Sequence, residues 1–135
     1  MDTFKMQDKV FDLLLSDDTF CTLMSIKDKL DDDLINSKIR RVIQPTDLLT
    51  ADGLPYIVEY FDNAHRTGNY LMNKGSFIVD VYAGTRVEIK AIVRQVKALL
   101  QSEYEDMNIY HEGYVASGIV GVTQYTLRMI PLVNS

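Results

Sequence analysis

The stretch that decides the fold is SFIVDVYAGTRVEIKAIVRQVKALL (Ser76–Leu100), in which a strand pattern gives way to a helix pattern. Residues 76–83 are rich in β-branched and aromatic side chains that alternate between two faces, which predicts a strand. Thr85 and Glu88 then form a capping box, because each side chain can satisfy a free backbone N–H group at a helix start. We expect this helix to reach about Ser102. Its apolar positions recur at spacings of three, four and seven: Ile89, Ile92, Val93, Val96, Leu99 and Leu100.

Strand patterns flank this stretch on both sides. Upstream, Tyr56–Phe61 is dense in β-formers and predicts a strand, separated from residues 76–83 by a loop of about fourteen residues. Downstream, two further strands are expected over roughly Met107–Ala116 and Ile119–Pro131, joined by a tight hairpin at Ser117-Gly118. Two hairpins with a helix between them predict an antiparallel sheet of about four strands, covered on one face by helices.

The N-terminal part has helical periodicity. Apolar spacing predicts an amphipathic helix over roughly residues 2–15, and Asp18 or Thr19 can cap a second, shorter helix that extends to about Lys29. For residues 31–55 the sequence pattern does not distinguish helix from strand. The expected class is therefore α+β with the element order α-α-β-β-α-β-β. We expect one domain over residues 1–135, helical in 1–30, with the sheet and the central helix in 54–131.

Composition and charge narrow the class of protein. The chain has 135 residues, of which 47% are hydrophobic and 24% charged, a balance typical of globular proteins. Net charge is −5, and all the excess lies in residues 1–60, which carry 12 acids and 7 bases. This excess of negative charge argues against binding to nucleic acid through its phosphates and against binding to an anionic membrane surface. Cys21, the single cysteine, can form no internal disulfide and is expected to be buried.

The sequence offers no recognisable catalytic, cofactor or metal motif. It contains neither a G-x-S-x-G elbow nor a phosphate-binding glycine loop. The acidic run Asp28–Asp33 lacks the ligand alternation of a calcium loop, and His65 and His111 lie 46 residues apart without partners at ligand spacing. We therefore expect a protein that is not an enzyme, with no catalytic, cofactor-binding or metal-binding residues.

Candidate contact residues come from three features. Arg86, Lys90, Arg94 and Lys97 recur at spacings of four, four and three, so they form one cationic stripe on the predicted helix. This stripe is either a solvated face or a contact for an acidic patch, in the Asp-rich first half of this chain or of a neighbouring copy.

The other two features are loops. The connection over residues 62–75 is long and carries apolar side chains in its middle, which favours docking onto a partner or subunit: Tyr70, Leu71 and Met72. The glycine-spaced segment 113–121, which includes Tyr114, is either a hairpin end that packs under a neighbour or a plain turn with bulges.

The order of elements resembles a known family. The arrangement of three segments resembles that of small tail-completion proteins of long-tailed bacteriophages. These segments are LPYIVEY (Leu54–Tyr60), FIVDVYA (Phe77–Ala83) with its following helix, and GVTQYTLRM (Gly121–Met129). The family is that of the tail terminator or tail-to-head joining proteins. The resemblance covers most of the chain and is best from residue 54 onward.

This resemblance implies a virion structural protein at the tail–head junction, assembled in the bacterial host cytoplasm. Family members form a ring, typically of six copies, that caps the tail tube, stops its polymerisation and offers a surface to the head-completion or connector proteins. Its partners would be further copies of itself, the tail tube protein and the connector. DNA would only pass through the lumen. Two alternative functions stay open. The chain could be another component of the phage neck, a head-completion or adaptor protein. It could also be a small ligand-binding or enzymatic domain that uses Asp62, His65 or Glu112.

Overall fold

The computed structural model describes residues 3–41, 53–62, 76–104 and 108–130. Within these ranges, three helices come before the first strand and a fourth lies between the third and fourth strands. The strands form one mixed sheet of order β1-β2-β3-β5-β4. In chain order the elements are α1 (Thr3–Ser16), α2 (Asp18–Leu23), α3 (Asp32–Lys38), β1 (Ile39–Arg40), β2 (Tyr56–Asp62), β3 (Ser76–Ala83), α4 (Arg86–Glu103), β4 (Asn108–Val115) and β5 (Thr123–Ile130).

The predicted strand–helix unit is present. β3 pairs antiparallel with β2 on one side and with β5 on the other, so it lies in the middle of the sheet. Thr85 is the N-cap of α4, and its hydroxyl accepts a hydrogen bond of 3.2 Å from the backbone N–H of Glu88. The same hydroxyl lies 3.2 Å from the Glu88 carboxylate, to which it donates. The helix ends at Glu103, one residue beyond the prediction.

The α+β class is confirmed, but the sheet differs from the expected one in strand number and direction. It has five strands rather than about four, and β1 runs parallel to β2, with Ile39 opposite Ile57. β1 is only two residues long, so no alternation of apolar and polar residues could reveal it. It follows directly on α3, in the segment that the sequence left open between helix and strand.

Three predicted features were wrong: the end of α2, its N-cap and the turn between β4 and β5. α2 ends at Leu23 rather than near Lys29, because Ser25 takes a φ of 59° and the backbone turns away from the helix; its N-cap is Asp17 rather than Asp18 or Thr19. The β4–β5 connection spans residues 116–122 instead of a tight turn at Ser117-Gly118. Gly118 and Gly121 adopt φ values of 76° and 81°, a conformation that favours glycine.

Two apolar clusters occupy the two faces of the sheet. The larger one joins the helices to Phe77, Val79 and Val81 of β3, and the smaller one lies on the opposite face around Tyr56 and Tyr82. Every residue of β3 is therefore buried. β4 lies at one end of the sheet, and most of its residues are exposed.

Candidate interaction surface

β4 is an edge strand whose exposed side chains include two tyrosines and a valine. Among the described strands it pairs with β5 alone, so the backbone groups along its outer side have no partner strand there. Tyr110 and Tyr114 are each 46% exposed and Val115 is 45% exposed. Val120, in the connection to β5, is 96% exposed. Exposed tyrosine and valine side chains at the edge of a sheet make this strand a candidate contact site.

A bulge in β4 orients the side chains of this strand. The pairing with β5 shifts between Ile109 and His111, after which Glu112 lies opposite Leu127 and Tyr114 opposite Tyr125. Glu112 and Tyr114 therefore extend on the face that α4 covers. An extra residue in one strand redirects the side chains that follow it, which is how bulges commonly serve sites at sheet edges.

Arg86, in the first turn of α4, stacks on β4. Its guanidinium carbon lies 4.6 Å from the ring centroid of Tyr114, and the Tyr114 ring meets the Tyr125 ring edge-on at 5.0 Å. A guanidinium over an aromatic face is attracted by the ring's negative electrostatic potential. The two contacts restrict the orientation of the partly exposed Tyr114 ring.

Lys97, three turns further along α4, forms the second contact between the helix and β4. Its ammonium group lies 3.1 and 3.0 Å from the two carboxylate oxygens of Glu112, and the Tyr125 hydroxyl donates to the same carboxylate at 2.8 Å. The hydrogen bond from Lys97, aided by that from Tyr125, lowers the pKa of Glu112. Burial, together with the bond to Glu112, raises the pKa of Tyr125 to about 12.

The predicted cationic stripe borders this edge. Arg86 and Lys97 are engaged with β4 as described, whereas Lys90 and Arg94 are exposed and make no ion pair with any residue in the described ranges. We name the exposed edge of the sheet the β4 surface. Arg86, Lys90, Arg94, Lys97 and Tyr114 belong to the side that α4 covers, and Val120 belongs to the connection to β5. Tyr110, whose hydroxyl is hydrogen-bonded to that of Ser76, and Val115 lie on the opposite face. The structure thus brings together the stripe and Tyr114, which the sequence had suggested separately.

Some of the residues singled out in the sequence lie outside the part of the chain that the structure describes. These are Tyr70, Leu71 and Met72 of the long loop, and His65. Glu112 and Tyr125 were missed as parts of the contact area, because the contacts of Glu112 with Lys97 and Tyr125 depend on the register that follows the bulge. Val120 was also missed. The available signal was a valine two residues after Gly118 and one before Gly121, a sign of an apolar side chain in a turn.

Three polar groups are buried away from this surface. The Asp80 carboxylate accepts hydrogen bonds from the hydroxyls of Tyr60 at 2.8 Å and Thr126 at 2.6 Å, so it is fully engaged. Glu59 is completely buried, and neither of its carboxylate oxygens has a hydrogen-bond partner among the described residues. Burial therefore raises the pKa of Glu59 to about 8. The Tyr104 hydroxyl is also buried and has no hydrogen-bond partner among the described residues.

Cys21 is buried, as expected, and burial raises the pKa of its thiol. Within the described ranges, no group of three or more His, Cys, Asp or Glu residues is arranged to hold a metal ion. No helix in that part of the chain is both long and apolar enough to cross a membrane.

Comparison with known proteins gives no assignment. No protein-family model matches this chain, and no curated protein and no solved structure matches it. The class of protein that the structure defines is an α+β protein with an open, aromatic edge strand beside a basic helix.

Proposed function

We propose that this chain is a virion structural protein that caps the tail tube of a long-tailed bacteriophage as an oligomeric ring. In that role it ends tail polymerisation and provides the surface to which the head joins. Its partners are further copies of itself, the tail tube protein and a head-completion or connector protein. The proposal combines the resemblance in element order with one feature of the structure, the β4 surface.

The β4 surface supports self-assembly for a physical reason. An edge strand offers backbone N–H and C=O groups, and the exposed rings of Tyr110 and Tyr114 offer apolar area that loses contact with water on docking. Aromatic residues and arginine are enriched at subunit contacts, because they bury large areas with few rotatable bonds. The stacked pair of Arg86 and Tyr114 combines both residue types.

The charge of the chain is compatible with DNA passing through such a ring without being held. Net charge is −5, so the protein as a whole repels phosphates. A lumen that bound DNA tightly would oppose its passage, since each phosphate contact adds to affinity.

Disruption of this gene in the phage or prophage that carries it tests the proposal. Electron microscopy of the lysate should show DNA-filled heads separate from tails of uncontrolled length. Normal, infectious particles would refute the structural role. Tails of normal length beside unjoined heads would refute the terminator role and assign the protein to the head side of the neck.

Complementation links the phenotype to the β4 surface. A plasmid copy of the wild-type gene should restore infectious particles, whereas the Val120→Asp copy should restore few of them, because a carboxylate at this exposed position has to be desolvated at the contact. Thr19→Asp is the matched control. Thr19 is exposed in the first turn of α2, where an acidic residue is well tolerated, so this copy should complement fully.

A further inference from the structure

Glu59 is a buried carboxyl group without a hydrogen-bond partner among the described residues. It lies opposite Val79 in the pairing of β2 with β3, so it is on the sheet face that carries the larger apolar cluster. The Tyr104 hydroxyl, at the C-cap of α4, is buried without a described partner as well, and it interacts electrostatically with Glu59. An ionised carboxylate is strongly disfavoured in such surroundings, so this packing requires a proton on Glu59.

The helix α1 covers this region. The Gln7 amide of α1 donates to the backbone carbonyl of Glu59 at 3.2 Å and to that of Arg41 at 3.1 Å. The Asp8 carboxylate of α1 pairs with the Arg41 guanidinium at 2.5 Å. One turn of α1 is thereby attached to β2 and to the residue that follows β1, next to Glu59.

The charged groups around Glu59 are already paired. Its carboxyl interacts electrostatically with three titratable groups from the surrounding elements: Arg41 after β1, Asp8 on α1 and Tyr104 at the end of α4. Arg41 pairs with Asp8, and Lys9 of α1 pairs with a carboxylate of α4 at 3.8 Å. α3 also packs against β2, but two backbone carbonyls hold its Lys38 ammonium group. An ionised Glu59 would therefore need access to water.

α1 can separate from the sheet without breaking the strand pairing. It takes no part in the sheet, and a single residue, Asp17, joins it to α2. The Asp17 carboxylate accepts hydrogen bonds from the Gln95 amide of α4 at 2.9 Å and from the backbone N–H of Phe20 at 2.8 Å, so α2 stays attached when α1 leaves. Proteins commonly open by such single elements at a lower free-energy cost than complete unfolding.

We propose that the proton on Glu59 keeps α1 in place on the sheet, and that loss of this proton releases α1 as a unit about Asp17. The released helix uncovers its buried side chains Met6, Val10 and Leu14 and gives water access to Glu59. The position of α1 is thus a pH-sensitive switch. This inference goes beyond the proposed function and does not depend on it.

The pH range of the switch follows from linkage. Burial raises the pKa of Glu59 to about 8 while α1 is in place, whereas release exposes the carboxyl and returns its pKa to near 4.5. Between these two values the closed form holds one proton more than the open form. Release therefore becomes about tenfold more favourable with each unit of pH in this range, and the effect levels off above about pH 8.

Hydrogen exchange followed by mass spectrometry measures the release. In the wild-type chain, the protection factors of the α1 amides should fall by roughly two to three orders of magnitude between pH 5 and pH 8. They should also lie at least about tenfold below those of β3 at every pH, because β3 is in the middle of the sheet and exchanges only through a larger opening. Protection factors are already corrected for the intrinsic dependence of exchange on pH.

Glu59→Gln should abolish the fall with pH in α1, since glutamine has no proton to release in this range. Glu59→Met should do the same, and it covers the case in which the buried amide of glutamine disturbs folding, which circular dichroism detects. Asp12→Asn is the matched control. It removes an exposed carboxylate from α1 itself and should keep the wild-type profile.

Three outcomes would overturn the inference. Protection of α1 that does not fall with pH would show that its release does not deprotonate Glu59. A fall that persists in both Glu59 variants would assign the pH dependence to another group. Equal protection factors in α1 and β3 would show that the helix leaves only when the whole protein unfolds. None of these outcomes bears on the phage role, which gene disruption tests separately.

Discussion

The Lys97 ammonium group on α4 forms a two-pronged ion pair with the Glu112 carboxylate on β4, at 3.0 and 3.1 Å. These residues are fifteen apart in the chain, and their pairing attaches the edge strand to the helix that borders it. Both side chains are about one third exposed, so water weakens the pair and its contribution to stability is modest.

Replacement of Lys97 by methionine tests the strength of this attachment. We expect the free energy of unfolding at pH 7 to fall by about 0.5 kcal/mol. The loss should shrink at low pH. Lys97 lowers the folded-state pKa of Glu112, so the stabilisation is present above the unfolded-state pKa and disappears as the pH falls through the folded-state pKa. Urea unfolding of the wild type and the variant at pH 7 and at pH 3 measures the loss of stability at each pH. An equal loss at the two pH values would contradict the assigned role of the ion pair.

Replacement of Glu59 by glutamine should stabilise the protein at alkaline pH. Burial raises the folded-state pKa of Glu59 from 4.5 to about 8, so the folded protein keeps a proton that the unfolded chain releases. Stability from this group is therefore fully present below about pH 4.5 and falls as the pH rises to about 8.

At pH 8.5 the gain from Glu59→Gln should be on the order of a few kcal/mol, and it should vanish near pH 4. Thermal melting across this range measures the profile. Glu103→Gln is the control for the loss of one carboxylate, because Glu103 is exposed at the end of α4, so this change should give no comparable gain at pH 8.5. A wild-type stability that does not fall between pH 5 and pH 8 would refute the buried, protonated carboxyl.

The contact between Arg86 and Tyr114 should appear as a coupling energy. A double-mutant cycle with Arg86→Met and Tyr114→Leu should give about 0.5 kcal/mol, typical of a cation over a partly exposed ring. The same cycle with Lys90→Met in place of Arg86→Met should give a coupling near zero, because Lys90 lies one turn further along and does not stack on Tyr114. Equal couplings in the two cycles would contradict the stacking geometry.

Loss of the α4 cap should cost more than loss of a comparable surface threonine. Thr85→Ala removes the oxygen that accepts the Glu88 backbone N–H, so we expect about 1 kcal/mol of destabilisation. Thr19→Ala, in the first turn of α2, is the matched control and should change stability by less than half of that. Urea denaturation of both variants measures the difference. Equal effects would show that Thr85 does not act as the cap.

Much of the fold could be predicted because its signals are local. A run of alternating residues identified β3, and the Thr85–Glu88 pair located the start of α4, since capping involves residues only three apart. β1 and the end of α2 could not be predicted in this way. The first is too short to show a period, and the second depends on the left-handed conformation of Ser25.

The α+β class and the basic stripe at residues 86, 90, 94 and 97 follow from local patterns in the amino-acid sequence. Alternation and helical spacing predict the elements, and helical periodicity places the four basic residues on one side of α4. Which residues lie beside that stripe depends on long-range contacts. The bulge in β4 sets which side chains of the strand face the helix, and the sheet order puts this strand at an edge and α3 at the other end. Strand order and register arise from contacts between distant residues, which local patterns do not specify.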